Sequence, residues 1–560
     1  MLSHVIGSTD VPLLDITIGK ALDLAAQRWA DRIALIDRGQ NVHLTWQDLR
    51  ERSDRLAAGF LALGLKPGDR IGIWSLNRVE WALTQFAAAK AGLILVTINP
   101  AYRTAELEFA LIDAGCAALV LAPAFKTSDY LGMIQSLVPE MALAGAAGIR
   151  SARLPSLKWV VQLGPDPIAG AIAFTTIEAM GVGADRSGLS DLSQVLNAHD
   201  AVNIQLTSGT TGAPKGVTLS HRNLLNNGYF VGSGIDLGPD DRVCIPVPLY
   251  HCFGLSMGNL ACLTHGAAMV YPGEGFDARA TLEAVATERC TALYGVPTMF
   301  IAQLDHPRFR EFDLSSLRTG IMAGSPCPIE VMRRVASQMH MPEVTICYGM
   351  TETSPVSFQS ATQDSLERRV STVGRVHPHV EVKIIDAEGN GVPRGTSGEL
   401  CTRGYSVMIG YWGHPDQTAT VKDAQGWMHS GDLATIDEEG YCNIVGRLKD
   451  MVIRGGENLY PRETEEFLHR HPLVRDVQVF GVPDLKYGEE LCAWIILQAG
   501  AQLTDQDLRA YCAGKIAHQK IPRYIKFVDA FPLTVTGKVQ KFIMRDLMSA
   551  ELGLVTVATA

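Results

Sequence analysis

The stretch TWQDLRERSDRLAAGFLALGLKPGDRIGIWSLNRVEWALTQFAAAKAGLILVTIN, residues 45–99, alternates helix-like segments with strand-like segments. Apolar residues recur at helical spacing after Thr45, which we expect to cap the first helix. The apolar run RIGIWSL follows a Pro-Gly-Asp turn at 67–69, and LILVTIN follows the second helix-like segment. Repeated helix-then-strand units of this kind predict an α/β fold, with a parallel sheet covered by helices.

The pattern changes twice farther along the chain. From about residue 370, the segments VEVKIID, AEGNG and ELCTRG are typical of short strands joined by tight turns, which predicts a β-rich subdomain. After GYCNIVGRLKD, the segments RETEEFLHRHPLV and ELCAWIILQ predict a compact α+β unit of roughly 110 residues. We therefore expect a large N-terminal domain over residues 1–446 and a small, mobile C-terminal domain over residues 447–560.

Composition and charge narrow the class of protein. A chain of 560 residues with 47% apolar and 19% charged residues is typical of a globular protein with more than one core. Its net charge of −10 argues against a general nucleic-acid-binding surface. The N-terminus does not resemble a secretory signal, and no apolar run approaches the ~18 residues that span a bilayer. We expect a cytoplasmic protein without a transmembrane segment.

The cysteines give no sign of a metal site or a disulfide framework. Eleven cysteines are scattered between Cys116 and Cys512, and no C-x-x-C pair occurs among them. We expect these cysteines to be reduced and mostly buried, where a thiol behaves as a small apolar group.

The segment TSGTTGAPKGVTLSHRN, residues 207–223, has the composition of a phosphate-binding loop. It is not a P-loop, because Lys215 follows Pro214 and precedes Gly216. Its hydroxyl groups and flexible glycines are still suited to phosphate oxygens, and the candidate residues are Thr207, Ser208, Gly209, Thr210, Thr211 and Gly212. On composition alone, a surface turn rich in Ser, Thr and Gly is the simpler interpretation.

Five further segments decide between these interpretations. They are PLYHCFG (248–254), CYGMTETSP (347–355), HSGDLA (429–434), VGRLKDMVIRGGEN (445–458) and PLTVTGKVQK (532–541). With residues 207–223, and in this order, they resemble the motif series of the adenylate-forming superfamily of acyl-CoA synthetases, luciferases and peptide-synthetase adenylation domains. The resemblance covers nearly the whole chain and is closest to medium-chain fatty-acyl-CoA synthetases, through GYSVMIGYW, RGGENLYP and FPLTVTGKVQK. Six motifs in order are far more specific than any single one.

The resemblance implies a ligase that activates a carboxylic acid, here a medium-chain fatty acid, with ATP and Mg²⁺. The loop at 207–216, including Lys215, would hold the β- and γ-phosphates. Thr351 would hydrogen-bond the α-phosphate, and Glu352 would bind Mg²⁺. The nucleoside would contact Gly324, Ser325, Pro326 and Tyr348 at the adenine, and Asp432 and Arg447 at the ribose.

The resemblance also implies two conformations of the small domain. Lys538 would bridge the acyl carboxylate and the α-phosphate while the acyl adenylate forms. The small domain would then rotate about a hinge at Lys449, so that coenzyme A reaches the adenylate through a tunnel lined by Gly455 and Gly456.

The acyl group would occupy a pocket beside the motif PLYHCFG. His251 would lie next to the carboxylate and gate this pocket. Its lining would include Cys252, Phe253, Gly349 and Met350. In relatives that use acetate, a tryptophan forms the floor at the position of Gly349, so the glycine implies an open floor and a longer acid.

Other interpretations stay open at this stage. Taken alone, Asp432 is explained by an Asx turn, Glu352 by a solvated helix start and His251 by a satisfied core histidine. Phe253 and Trp427 stay ambiguous, and a core position is the commoner explanation for such aromatic residues. An enzyme that loads a free acyl carrier protein and a luciferase-like oxygenase share the adenylation residues, whereas a non-catalytic nucleotide-binding module would be expected to lack Lys538 or Glu352. The sequence also leaves open the chain length of the acid and a homodimer.

Overall fold

The computed structural model describes residues 1–145, 147–182, 187–207, 214–325, 327–454, 457–534 and 537–554. Its first sheet contains the strands predicted from residues 45–99. Most of its strands are parallel, and the last two pair antiparallel. In order across the sheet, the strands are β10 (Ile172–Ala173), β9 (Trp159–Gln162), β6 (Cys116–Leu121), β4 (Arg70–Trp74), β5 (Ile94–Thr97), β11 (Ala201–Thr207), β12 (Lys215–Ser220) and β22 (Gly410–Tyr411).

A second sheet of the large domain is parallel in its centre and antiparallel at both edges. Because parallel strands end at the same edge of a sheet, the residues that follow its central strands are brought together. In order, the strands are β19 (Arg375–Val376), β18 (Val356–Gln359), β17 (Glu343–Gly349), β16 (Thr319–Ala323), β15 (Ala292–Gly295), β13 (Arg242–Cys244), β14 (Ala268–Tyr271), β2 (Ile33–Asp37) and β3 (Val42–Thr45).

The remaining sheets correspond to the two changes of pattern in the sequence. An antiparallel sheet forms the β-rich subdomain, and its strands are β1 (His4–Ile6), β20 (Val380–Ile385), β21 (Gly398–Gly404), β23 (Met428–Ile436) and β24 (Cys442–Arg447). The small domain contains β26 (Glu457–Leu459), β25 (Val452–Arg454), β28 (Gly488–Leu497), β27 (Val474–Asp484) and β29 (Tyr524–Phe527). A short hairpin joins β7 (Ala124–Phe125) to β8 (Ser128–Asp129).

Helices cover the sheets, as the alternating sequence pattern predicts. The α-helices are α1 (Ile18–Trp29), α2 (Trp46–Ala62), α3 (Val79–Lys90), α4 (Thr104–Asp113), α5 (Tyr130–Leu137), α6 (Phe174–Val182), α7 (Ser187–Val195), α8 (His221–Ser233), α9 (Ala261–His265), α10 (Ala278–Glu288), α11 (Pro297–Leu304), α12 (Ile329–Gln338), α13 (Leu366–Ser371), α14 (Pro415–Ala419), α15 (Pro461–Leu468), α16 (Asp505–Cys512) and α17 (Lys541–Glu551). A π-helix spans Phe253–Leu260, and short 3-10 helices span Pro139–Leu143, Phe309–Glu311, Thr351–Thr353 and His518–Lys520.

Local sequence explains where α2 begins and which face it buries. The Thr45 hydroxyl accepts a hydrogen bond from the Asp48 backbone, and the Asp48 carboxylate accepts one from the Thr45 backbone. This capping box satisfies two donors at the helix start. Trp46 and Phe60 are fully buried on the inner face of α2, in the core that also packs against the first sheet.

The cores of the two domains are separate in the described residues. Clusters of the large domain include residues up to Cys442, whereas those of the small domain begin at Val452. All eleven cysteines are buried and unpaired, which confirms the prediction of reduced, buried thiols. None of the helices described is both long and apolar enough to cross a bilayer.

Buried histidines make the fold sensitive to acid. Burial lowers the pKa of His221 to about 4 and the pKa values of His251 and His377 to about 3. The unfolded chain, with histidine pKa values of about 6.5, therefore binds more protons than the folded one below that pH. The stability that depends on neutral histidines is present above pH ~6.5 and is lost as the pH falls toward 4.

We expect the thermal midpoint to fall between pH 7 and pH 5, because each such histidine changes the unfolding free energy by up to ~1.4 kcal/mol per pH unit. Differential scanning calorimetry measures this shift. In His221→Asn, the Asn amide oxygen can accept the Ile18 N–H that His221 Nδ1 accepts at 3.1 Å, so the fall should be smaller. An identical fall in the two proteins would contradict this origin.

Candidate active site

The candidate site lies where three parallel strands of the second sheet end. Strand β15 ends before Val296, and β16 ends before Gly324. Tyr348 is the penultimate residue of β17. The 3-10 helix Thr351–Thr353 follows β17, and Thr351 and Glu352 are both buried there. A crevice at the carboxyl ends of parallel strands is the usual position of a ligand site in α/β proteins.

Asp432 is the centre of a polar cluster that joins two sheets. It lies directly opposite Arg447 in the β23–β24 pair, and the Arg447 Nε donates to Asp432 Oδ1 at 3.0 Å. The Tyr348 hydroxyl donates to Asp432 Oδ2 at 2.5 Å. The Asp432 charge raises the pKa of Arg447, and burial, followed by the Asp432 charge, raises the pKa of Tyr348. The arrangement fixes the Asp432 carboxylate at the edge of the crevice, between a cation and a hydroxyl donor.

Glu352 lies in a separate, buried cluster. The Tyr411 hydroxyl donates to Glu352 Oε1 at 2.9 Å, and the ammonium of Lys215 lies 5.0 Å from the centre of the Tyr411 ring. Burial raises the pKa of Glu352, while the hydrogen bond from Tyr411 and the charges of Lys215 and Arg447 oppose that change. A cation near this carboxylate would favour its ionised form.

The two ends of the glycine-rich segment are held together beside this cluster. Thr207 pairs with Lys215 across the β11–β12 hairpin, and the Thr207 hydroxyl donates to the Lys215 carbonyl at 3.4 Å. Strand β12 also pairs with β22, where Val217 lies opposite Tyr411. This pairing explains how Lys215 and Tyr411 come to lie near Glu352.

Lys538 reaches this region from the small domain. It lines a cavity of about 10 Å³ with His251, Phe253 and Gly324. Gly324 has a φ of 91°, which favours glycine, and a Cβ atom there would lie 3.1 Å from Val296 Cγ1 and 3.7 Å from Lys538 Cε. Burial, followed by the Arg447 charge, lowers the pKa of Lys538, while Asp432 and Glu352 act in the opposite direction. The cation of the small domain therefore lies within electrostatic reach of both carboxylates.

His251 is held in a neutral form beside this lysine. Burial, followed by the charge of Lys538, lowers the pKa of His251 to about 3. The Phe253 backbone donates to His251 Nδ1 at 3.3 Å, and the Cys252 backbone donates to Gln205 Oε1 at 3.1 Å. A neutral imidazole can accept or donate a hydrogen bond near the cavity without adding charge.

Comparison with known families places this geometry in context. Residues 22–412 match the model of the family "AMP-binding enzyme". Residues 463–538 match the model of the family "AMP-binding enzyme C-terminal domain". The chain belongs to the AMP-binding enzyme family. Its predicted membership of the adenylate-forming superfamily is thereby confirmed.

Similar proteins agree with this assignment. The medium-chain acyl-CoA ligase ACSF2, mitochondrial, of Bos taurus is 45% identical over 99% of this chain and 91% of the relative. An anthranilate CoA ligase, AuaEII, in complex with anthranoyl-AMP superposes with a TM-score of 0.85 at 25% identity, over 98% of this chain and 99% of that one. ATP-bound MatB from Rhodopseudomonas palustris superposes with a TM-score of 0.81 at 29% identity, over 94% and 98%.

These matches confirm the predicted α/β fold with a small C-terminal domain and the prediction of an AMP-forming acid–CoA ligase. As an AMP-binding enzyme, the chain uses ATP and takes a small carboxylic acid as substrate.

The site residues proposed from the sequence fall into three groups. The structure brings Thr207, Lys215, His251, Gly324, Tyr348, Thr351, Glu352, Asp432, Arg447 and Lys538 to one region of this AMP-binding enzyme, in the contacts given above. Cys252 and Phe253 lie beside His251, and Lys449 lies in the exposed turn that follows β24. Outside the described residues are Ser208, Gly209, Thr210, Thr211, Gly212, Pro326, Gly455 and Gly456.

Gly349 lies at a close approach of two strands, and its expected place in the floor of the acyl pocket stays a prediction. A Cβ atom at Gly349 would overlap the carbonyl oxygen of Pro355 and lie 3.0 Å from the Cα of Val356. Strands β17 and β18 approach closely at this point, next to a break in their register. The glycine is therefore required for the pairing of these strands, and a tryptophan here would displace β18 before it filled any pocket. Ser325 and Met350 lie at the adjacent strand ends.

Some contacts of the site were not predicted from the sequence. Tyr411 belongs to the segment GYSVMIGYW, but nothing in that segment indicates a hydrogen bond to Glu352. The hydroxyl of Thr298 donates to the Gly537 carbonyl at 3.4 Å and joins α11 to the loop that carries Lys538. Trp427, left ambiguous by the sequence, packs with Ile385 and Cys401 in a small core.

Proposed function

We propose that this enzyme joins a fatty acid, preferably of medium chain length, to coenzyme A through an acyl adenylate. The observation that carries the proposal is the position of Lys538, which comes from the small domain and lies with His251 and Gly324 around one cavity. The name of the Bos taurus relative supports a medium-chain acid as the substrate.

The nucleoside of ATP fits the cluster around Asp432. A carboxylate accepts hydrogen bonds from the two hydroxyls of a ribose, and Arg447 holds this carboxylate in place. The base would lie against Gly324, Ser325, Pro326 and Tyr348, where the strands β16 and β17 end. Both assignments follow the motif series, and the ion pair between Asp432 and Arg447 supports the first.

The triphosphate fits the region between the glycine-rich loop and Glu352. Lys215 and the loop hydroxyls would neutralise the β- and γ-phosphates, and Thr351 would donate to the α-phosphate. The buried carboxylate of Glu352 suits Mg²⁺, a hard ion that binds one or two carboxylates together with phosphates and waters. Mg²⁺ would reduce the repulsion between ATP and the anionic acid.

Adenylation requires two anions to approach each other. A carboxylate oxygen attacks the α-phosphorus, and the bond to pyrophosphate breaks. No general base is needed, because the carboxylate is already deprotonated. Lys538 would bind both reacting groups and hold them in line. His251, which is neutral, would contact the carboxylate without adding a second positive charge beside Lys538.

Thioester formation requires Lys538 to leave. We propose that residues 447–560 rotate about Lys449, which lies in the turn between the core of the large domain and the core of the small domain. Gly455 and Gly456 would then line the path of the coenzyme A thiol. The thiolate attacks the acyl carbonyl and AMP leaves. Thr298 and Gly537 would separate in this movement, since their hydrogen bond joins the two domains.

A panel of acids tests this function. With octanoate, ATP and Mg²⁺, the purified enzyme should convert ATP to AMP only when coenzyme A is present. One thioester should form for each AMP released. Release that depends on an acyl carrier protein instead, or oxygen uptake with light emission, would replace the proposal by a carrier-loading ligase or a luciferase-like oxygenase. The cytoplasmic location and the homodimer stay predictions, which cell fractionation and light scattering test.

Lys449→Pro should impair the second half-reaction by at least about tenfold. Proline fixes φ near −65° and so restricts the backbone rotation at a hinge. Thioester formation from supplied octanoyl adenylate and coenzyme A measures this loss, and pyrophosphate exchange shows that adenylation survives. Lys449→Ala is the matched control, since it removes the same side chain but leaves φ free. Normal thioester formation in a folded Lys449→Pro protein would place the hinge elsewhere.

A further inference from the structure

A cluster of three metal-ligating side chains lies in the β-rich subdomain, outside the site described above. Glu399 and Cys401 are two residues apart on β21, on either side of an irregularity in its pairing with β23, and His429 lies directly opposite Cys401 on β23. The Oε2 of Glu399 lies 3.1 Å from His429 Nδ1, and Cys401 Sγ lies 3.6 Å from the same nitrogen. All three ligand atoms lie within 4.8 Å of one another.

These separations match those of a tetrahedral zinc site. With Zn–N and Zn–O distances of about 2.0–2.2 Å and a Zn–S distance of about 2.3 Å, tetrahedral ligands lie roughly 3.4 Å apart for nitrogen and oxygen and roughly 3.6 Å apart for nitrogen and sulfur. The observed separations of 3.1 and 3.6 Å differ from these by a few tenths of an ångström. A metal ion could enter with little movement of the two strands.

The surroundings of His429 resemble the second shell of a metal-binding histidine. Its Nδ1 faces Glu399 and Cys401, while its Nε2 lies 3.9 Å from Asp423 Oδ2. Histidine ligands of metals commonly direct their other ring nitrogen toward a carboxylate, which fixes the ring and raises its basicity. The His429 side chain is one-third exposed, so solvent reaches one side of the cluster.

The charges near the cluster favour a cation. Glu399 and Asp423 are acidic. Two cations are near: Lys383 lies opposite Cys401 across β20 and β21, and Arg403, farther along β21, forms an ion pair with Glu381. Both cations lie 4.5 Å from the centre of the Trp427 ring. The set of a thiol, an imidazole and a carboxylate suits a borderline divalent ion such as Zn²⁺ and not Mg²⁺, which prefers oxygen ligands.

We propose that Glu399, Cys401 and His429 bind a borderline divalent metal ion, Zn²⁺ or its analogue Co²⁺. On binding, the S–H bond of Cys401 breaks, a metal–sulfur bond forms, and the proton passes to solvent. No electron is transferred. The site requires no residue of the adenylation reaction.

The cluster is connected to the nucleotide site by one hydrogen bond. The Gly431 backbone donates to Glu399 Oε1 at 3.2 Å, and Gly431 precedes Asp432. A metal held by Glu399 Oε2 would therefore restrain the strand segment that carries Asp432. Zn²⁺ would also stabilise the folded protein, because it binds the three ligands as the fold arranges them and the unfolded chain lacks this arrangement.

Titration of the untagged, chelator-treated protein with Co²⁺ tests the proposal. We expect one equivalent of Co²⁺ to produce a thiolate-to-cobalt charge-transfer band, which Zn²⁺ then removes by displacement. Cys401→Ser should abolish the band, and His429→Gln should weaken binding by at least about tenfold. Cys442→Ser is the matched control, since Cys442 is a buried cysteine on the adjacent strand β24 and should leave the band unchanged.

A stability measurement keeps the test decisive if Cys401→Ser does not fold. Excess Zn²⁺ should raise the thermal midpoint of the wild-type protein and of Cys442→Ser, but not that of His429→Gln, whose altered side chain is partly exposed. Absence of the charge-transfer band in the wild type would overturn the proposal. A band that persists in folded Cys401→Ser, or an equal rise of the midpoint in His429→Gln, would also overturn it.

Discussion

Replacing Lys538 by alanine is expected to slow acyl-adenylate formation by roughly 10²–10³-fold, the usual cost of losing one donor to a developing charge in a dry site. Thioester formation from supplied acyl adenylate and coenzyme A should stay within about threefold of the wild type, because Lys538 is proposed to leave before that step. Pyrophosphate exchange measures the first half-reaction, and release of AMP from octanoyl adenylate measures the second.

Two further variants test whether the effect is specific to the position and the shape of Lys538. Lys520→Ala removes a lysine of the same domain that pairs with Glu463, and it should leave both half-reactions near normal. Lys538→Arg keeps the charge but replaces a compact ammonium by a planar guanidinium, which does not reproduce the contacts of a point charge between two anions. We therefore expect Lys538→Arg to recover only a small part of the adenylation rate. Equal losses in both half-reactions of Lys538→Ala would reject the assigned role.

Features that depend on residues close together in the sequence could be predicted from it. The start of α2 followed from Thr45 and the apolar spacing after it, since the capping box is made within four residues. The strands β4 and β5 followed from apolar runs that come after helix-like segments. The motif series identified the family, because each motif keeps its chemistry within a few positions of the chain.

Features that depend on strand pairing could not be predicted in this way. Tyr411 and Glu352 lie 59 positions apart and meet only because β22 pairs with β12. Cys401 and His429 meet across β21 and β23, so a search for C-x-x-C pairs does not find them. The steric constraint on Gly349 from the nearby β18 backbone is a further feature that only the paired strands reveal.

The length of the acyl chain that the enzyme prefers depends on how much of it is buried. Each enclosed methylene contributes about 0.8 kcal/mol, so the six additional carbons of octanoate could contribute roughly 5 kcal/mol relative to acetate. Ordering the chain offsets part of this gain. We expect kcat/KM for octanoate to exceed that for acetate by up to several thousand-fold. Initial rates of AMP release with acids of two to twelve carbons measure the preference.

Because substitution of Gly349 would displace β18, Phe253 offers a cleaner test of where the chain runs. Phe253 lines the cavity beside Lys538, and its ring stacks on Tyr294 with 5.8 Å between ring centres. Phe253→Leu should lower kcat/KM for octanoate about tenfold, through lost apolar contact of ~1.4 kcal/mol, while acetate and the KM for ATP change less than twofold. Phe358→Leu is the control, since Phe358 is fully buried on β18, does not line this cavity and packs against Tyr348, so its loss should affect both acids alike. If Phe253→Leu also affects octanoate and acetate equally, the acyl chain does not pass Phe253.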